Sequence, residues 1–307
     1  MRRISPMAAL LTSSISRNSE TRVTTAELMR QTPIKRSRVI PGFGLSLGIV
    51  LTGLSLIVLI PLAALVVKAA GVGQSGFWHI ASSPRVIKAL LVSFETSLFA
   101  ALFNAPVGLL IAFVLQRYRF PGRAILNAAI DLPFALPTAV AGISLAAVYG
   151  PHGPLGSVFA EFGIKTAFNP TGITIALIFI GLPFVVRTVQ PVIDEIERET
   201  EEAAALLGAT PFRTFLTIIF PAILPALLTG FALALARGVG EYGSVIFIAG
   251  NLPMISEIAP LLIVIKLEEF DYGGATVIGT LMLLISFALL FGINLLERSA
   301  RKYFGHD

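Results

Sequence analysis

Of 307 residues, 55% are hydrophobic and only 13% are charged, about half the roughly 25% of an ordinary soluble domain, so a soluble globular fold is excluded on composition. The formal charge of +5 does not indicate nucleic acid, because the basic residues gather at the ends of long apolar runs, where they fix membrane orientation. With no cysteine, the chain offers no disulfide, thiolate metal site or thiol nucleophile.

In chain order, residues 1–40 are polar, carry eight Lys or Arg against Glu20 and Glu27, and read as a disordered cytoplasmic tail or an early-assigned start. An uncharged run follows over residues 45–67, about 35 Å as a helix at roughly 1.5 Å per residue and enough to cross a bilayer. A second span covers 90–115, interrupted only by Glu95, and ends in the basic segment 116–123. The third covers 124–149 and contains Asp131, Pro133 and Pro137. After a Gly- and Pro-containing stretch, a fourth span runs over 171–189, closed by Pro191. The fifth covers 221–249 with Arg237 and Glu241 inside it, and the sixth, uncharged, covers 273–296. Residues 259–265 are apolar but too short to cross, and are expected at the interface or dipping into the protein.

The pattern predicts an all-α polytopic membrane protein of about six transmembrane helices, with one domain over residues 41–300 and a cytoplasmic tail over 301–307. Lys and Arg are retained on the cytoplasmic side. With both termini inside, that side holds eight in the tail, three in 116–123, two in 191–220 and three at the C terminus. These sixteen stand against Lys68, Arg85, Lys88, Lys165 and Lys266 outside.

The loop over 191–221 is the most specific segment. Glu202-Ala203-Ala204 is followed after three residues by Gly208, and after nine more by Ile218, Ile219, Phe220 and Pro221. Small alanines let a helix enter another protein's groove, Gly208 can take the left-handed backbone that ends it, and Thr210-Pro211 can start a second helix as N-cap and first residue. Glu202, with Asp194, Glu195, Glu197, Glu199 and Glu201 nearby, gives the segment negative charge that a basic groove could recognise. A plain solvated amphipathic loop is the simpler alternative. The spacing resembles the Glu-Ala-Ala coupling loop of permeases from ATP-binding cassette importers, with Phe220 where leucine is usual.

Further segments, 117–123, 131–142, 183–192, 240–251 and 269–272, resemble the CysT-type permease subunits of sulfate and thiosulfate importers over about residues 39–296. The resemblance implies a type I importer permease fold in the bacterial inner membrane and a path for sulfate or thiosulfate. It also implies a CysW-type second permease, a cytoplasmic ATPase dimer and a periplasmic binding protein as partners. The chain contains no Gly-Lys dipeptide and so no phosphate-cradling loop, which leaves ATP hydrolysis to the partner. No cofactor or metal site is expected, and lipid is the surrounding partner. An importer of another oxyanion such as molybdate, and an ion-coupled secondary transporter, are the alternatives.

Ionisable groups inside a bilayer are expensive and therefore candidates for function. Glu95, Asp131, Arg187, Arg237 and Glu241 qualify, Arg187 being expected to snorkel to water. Arg237 and Glu241, four apart on a helix, can form a structural pair or place positive potential on a dianion's path. Pro133 and Pro137 in the third span can free backbone N–H groups that receive an oxyanion, or can simply pack. Glycine patterns at 44–48 and 238–243 fit hydrolase and dinucleotide motifs only by chance, since both lie in apolar helices rather than strand-turn-helix units.

Overall fold

A computed structural model of the chain describes residues 43–303, with side chains to residue 298; the tail expected over 1–40 lies outside the described residues. By internal contacts the chain divides between Leu59 and Ile60. The described part of the first unit is α1 (Phe43–Leu54) and a π-helical turn (Ser55–Leu59), uncharged and without a buried side chain.

The second unit begins with α2 (Ile60–Ala70) and α3 (Gln74–Ala81). The long α4 (Pro84–Arg117) follows, and then α5 (Arg123–Ala135), α6 (Thr138–Tyr149) and α7 (Pro154–Glu161). Next come α8 (Pro170–Glu195), α9 (Arg198–Leu206) and α10 (Pro211–Thr214), which passes through a π-turn (Phe215–Ile219) into α11 (Phe220–Val239). The chain closes with α12 (Val245–Ile248), α13 (Ala259–Glu268) and α14 (Tyr272–Tyr303). The last helix therefore runs through the boundary expected at residue 300.

Among the described residues five helical stretches are long and apolar enough to cross a bilayer: Phe43–Ala70, Pro84–Arg117, Pro170–Glu195, Pro211–Val239 and Tyr272–Arg298. The sixth is a bent pair. The span expected over 124–149, with Pro133 and Pro137 inside it, is α5 and α6, bent by 115°. Pro137 lacks an N–H and pushes Leu136 out of the helical region, to φ −83° and ψ 137°, while Pro133 is carried inside α5.

Two other boundaries differ from the sequence reading. Pro191 does not close α8, which continues to Glu195; a proline removes one helical hydrogen bond, and packing on α4 and α11 carries the helix past it. The fifth span starts earlier and stops sooner than expected, ending at Val239 with Gly240 as its cap, so Glu241 lies just beyond the helix. Residues 259–268 form a short helix whose Ala259, Leu261 and Leu262 are buried in the protein.

The core lies between α4, α8 and α11, where Ala112, Val185, Val186, Val189, Ile193 and Ile223 are completely buried. Lipid tails are as apolar as these side chains, so helix association in a bilayer depends on close packing rather than on expulsion of water. Val185 marks two close approaches: a methyl group on Gly108 would come within 2.7 Å of its Cγ1, and one on Gly230 within 2.9 Å of its Cα. Polar ties complete the frame. Ser93 Oγ of α4 accepts the Ala259 N–H at 2.8 Å, satisfying the first orphan donor of α13.

Candidate coupling loop and translocation path

The loop after α8 folds as its sequence suggests. Ile196 breaks the helix with an extended backbone, α9 runs from Arg198 to Leu206, and Gly208 turns the chain at φ +83°. Thr210 then caps α10, its Oγ1 accepting the Arg213 N–H at 3.3 Å with Pro211 at the first helical position. The second helix of this turn is not separate, as it leads through the π-turn directly into the membrane-spanning α11.

The side chains of this loop divide into two groups. Glu202 and Ala203 are exposed, whereas Ala204 is buried against the chain itself, so only one of the two motif alanines faces outward. Ile218 and Pro221 are half-buried at the root of α11. The acidic run is likewise not a uniform surface: Glu201 turns inward, its Oε1 lying 2.6 Å from Nη2 of Arg117 at the end of α4. The residues that sequence reasoning missed are apolar. Leu206 and Leu207 are 90% and 89% exposed, and Phe212 is 71% exposed. The available signal was a pair of leucines in a hinge between spans, where neither lipid nor a core is offered to them.

Within the spans, Arg187 is held in a polar network. Its Nε and Nη2 donate to Asp131 at 2.7 and 2.5 Å, Nη1 donates to Asn127 Oδ1 and Gln190 Oε1, and Nη2 also reaches the Asn127 carbonyl. All five guanidinium N–H groups are thereby used, and the cluster fastens α5 to α8. Beside it opens a polar cavity of about 660 Å³, lined by Gln116, Arg123, Asn127, Arg187 and Gln190.

Arg237 and Glu241 pair at 2.5 Å, as their spacing suggested. Glu241 is almost wholly buried, and its Oε1 also accepts the backbone N–H and the hydroxyl of Ser244, both at 2.9 Å. It thus holds the turn after α11. That turn packs on the bend of the third span: a methyl group on Gly142 of α6 would lie 2.3 Å from the Ser244 carbonyl oxygen, and one on Gly243 2.2 Å from Thr138 Oγ1. Pro137 and Glu241 are therefore brought to one junction where two helices are broken. Glu95 stands apart on the exposed stripe of α4 with Ile87, Leu91, Phe99 and Leu102, and makes no hydrogen bond or ion pair among the described residues.

On the opposite side of α4 from Arg117, Arg85 grips Glu257 through two hydrogen bonds of 2.8 and 2.7 Å, tying the start of α4 to the segment before α13.

The arrangement of helices is that of known importers. It matches a chain of a bacterial ABC transporter involved in the import of the acidic polysaccharide alginate, with a TM-score of 0.67 and 16% identity over 81% of this chain and 92% of that one. A chain of a methionine ABC transporter in inward-facing conformations matches with a TM-score of 0.51 and 18% identity, over 70% and 94% of the two chains. The fold is thus that of a type I ABC importer permease.

The family model for the inner membrane component of binding-protein-dependent transport systems matches residues 104–302. The sulfate transport system permease protein CysT of Escherichia coli strain K12 is 46% identical over 274 residues, 89% of this chain and 99% of that one. That of Synechocystis is 52% identical over 250 residues, 81% and 87% of the two chains. A probable sulfate transport system permease of Nephroselmis olivacea is 51% identical over 247 residues, 80% and 87%. The chain belongs to the family of binding-protein-dependent transport system inner membrane components.

Proposed function

We propose that this chain is one permease subunit of an ATP-driven sulfate importer and forms part of the sulfate path through the inner membrane. The observation that carries the substrate is the 46% identity, over nearly the whole length of both chains, with a permease named for sulfate transport. Thiosulfate, a tetrahedral dianion of nearly the same shape and charge, is a second expected substrate.

The loop supplies the means of energy coupling. Glu202, Ala203, Leu206, Leu207 and Phe212 present an acidic and apolar knob suited to a groove with a basic rim, and we assign that groove to a cytoplasmic ATPase dimer. A CysW-type second permease completes the path, and a periplasmic sulfate- or thiosulfate-binding protein delivers the anion. The permease domain occupies residues 41–300, with the coupling loop over 191–221. Both termini face the cytoplasm, a reading supported by sixteen Lys and Arg on that side against five on the other.

In this reading Arg237 gives the passing dianion a positive potential. The bend at Pro133 and Pro137 offers N–H groups at the start of α6, and Glu241 holds Arg237 in place. Asp131 acts by restraining Arg187, and Glu95 lies on the face available to the second permease or the path. Labelled sulfate uptake in a strain lacking this subunit tests the assignment, with molybdate as competitor. Restored, ATP-dependent uptake inhibited by thiosulfate but not molybdate is expected. Inhibition by molybdate at equal concentration would move the substrate to another oxyanion, and uptake without the ATPase would overturn the class.

A further inference from the structure

Arg187, inside α8, and Arg117, at the end of α4, differ in how fully they are bound. Arg187 has every N–H engaged. Arg117 does not. Its Nη2 donates to the Ile196 carbonyl at 3.3 Å and lies 2.6 Å from Glu201 Oε1, yet its Nε is buried without a hydrogen-bond partner, and the Glu201 oxygen is not aligned to accept one. Buried polar groups are nearly always satisfied, so an exception marks a contact that other forces hold in place or that has a second arrangement.

The position of this pair gives it a mechanical meaning. Arg117 is the last residue of α4, which runs the full depth of the membrane domain and packs along α8 and α11. Ile196 is the break at which α8 hands over to α9, and Glu201 lies in the middle of α9. One guanidinium therefore touches a spanning helix, a hinge and the outward-facing loop helix. Among the described residues no other side-chain hydrogen bond or ion pair joins α9 to the membrane helices, and Ala204 is its single buried residue. Neighbouring acids do not substitute: Glu199 and Glu202 are exposed and unpaired.

We propose that Arg117 and Glu201 form a latch through which movement of α9 is transmitted to α4, making Arg117 a positioning residue for energy coupling. The proposal rests on the loop being the ATPase contact. When the loop is displaced by its partner, the ion pair pulls on the end of α4, and the backbone hinge at Ile196 lets α9 turn without unwinding α8. A fully satisfied clamp such as Arg187 could not release, whereas a pair with a spare donor can exchange partners during a cycle.

The test is a charge swap in the full chain, with Arg117→Glu, Glu201→Arg and the double variant compared. Backbone hydrogen exchange over 198–206 in the membrane-embedded chain reads the latch without reference to any substrate. Each single change is expected to speed exchange about tenfold and the double variant to restore it. In vesicles containing the assembled importer with its second permease, ATPase and binding protein, each single change is expected to lower sulfate moved per ATP hydrolysed about fivefold or more. Binding of the ATPase is retained, and the double variant recovers most of the loss. Unchanged exchange, or a double variant no better than the singles in both measurements, overturns the latch. A wild-type complex that moves no sulfate, with the exchange pattern as described, refutes the substrate assignment and leaves the latch standing.

Discussion

At the scale of single residues, the arginine of α8 shows what a sequence can and cannot reveal. Arg187 and Asp131 are 56 positions apart, and nothing local connects them. The packing of α5 on α8 brings them together. Asp131→Asn keeps the shape but removes the charge that the guanidinium needs. The half-exposed site tempers the penalty, so a loss of about 1–3 kcal/mol is expected, seen as a lower thermal midpoint in detergent. An unchanged midpoint would mean that Asn127 and Gln190 suffice. Arg237 and Glu241 are the opposite case, since four-residue spacing alone announced their pairing. Arg237→Ala is expected to impair sulfate uptake while the complex still assembles; undiminished uptake would remove Arg237 from the path. Leu207→Asp is expected to abolish ATPase retention in a pull-down from membranes, with the permease still folded, because a charged group would replace an apolar contact.

At the scale of elements, long apolar runs were legible and their interruptions only in part. A run of uncharged residues over 45–67 or 273–296 has one stable solution in lipid, a helix, because every backbone group must be satisfied within it. Where a proline bends a helix and where it is merely carried depends on neighbours absent from the local sequence. Pro137 breaks the third span and Pro191 leaves the fourth intact. The loop helices were legible because their signals are local. Gly208→Val, at φ +83°, is expected to cost about 1–2 kcal/mol in the turn between α9 and α10, and hydrogen exchange over 205–214 measures it.

The last helix carries a pH signature. Asp271 caps it by accepting the Gly274 N–H at 2.8 Å. That bond, with a smaller contribution from Lys266, holds the carboxyl below the ordinary carboxylate range against the opposing effect of partial burial. A depressed value means stability that is fully present above the ordinary value near 3.9 and is lost as pH falls through the folded value. Protection at the start of α14, measured against the intrinsic exchange rate at each pH, is therefore expected to fall in acid for the native chain and to lose this pH dependence in Asp271→Asn. Acid sensitivity that persists in the variant would assign the effect elsewhere.

For the whole molecule, composition points to a membrane protein, and the distribution of Lys and Arg predicts an orientation with both termini in the cytoplasm. Because the chain has no cysteine, Glu202→Cys creates a unique thiol. Labelling by a membrane-impermeant maleimide is expected only from the cytoplasmic side, and reaction from the periplasm would invert the topology. The association of α4, α8 and α11 was beyond sequence reasoning, since it depends on close backbone approach at Gly108 and Gly230 rather than on any periodic pattern.

The one-to-one partnering of arginines has an electrical consequence. Arg85, Arg187 and Arg237 each face one carboxylate, so on the path proposed above the positive potential of Arg237 is partly offset by Glu241 and makes a shallow well rather than a deep one. A shallow profile holds a dianion only briefly and lets it leave as readily as it enters. On the proposed path, discrimination among anions is then expected before entry rather than within this subunit.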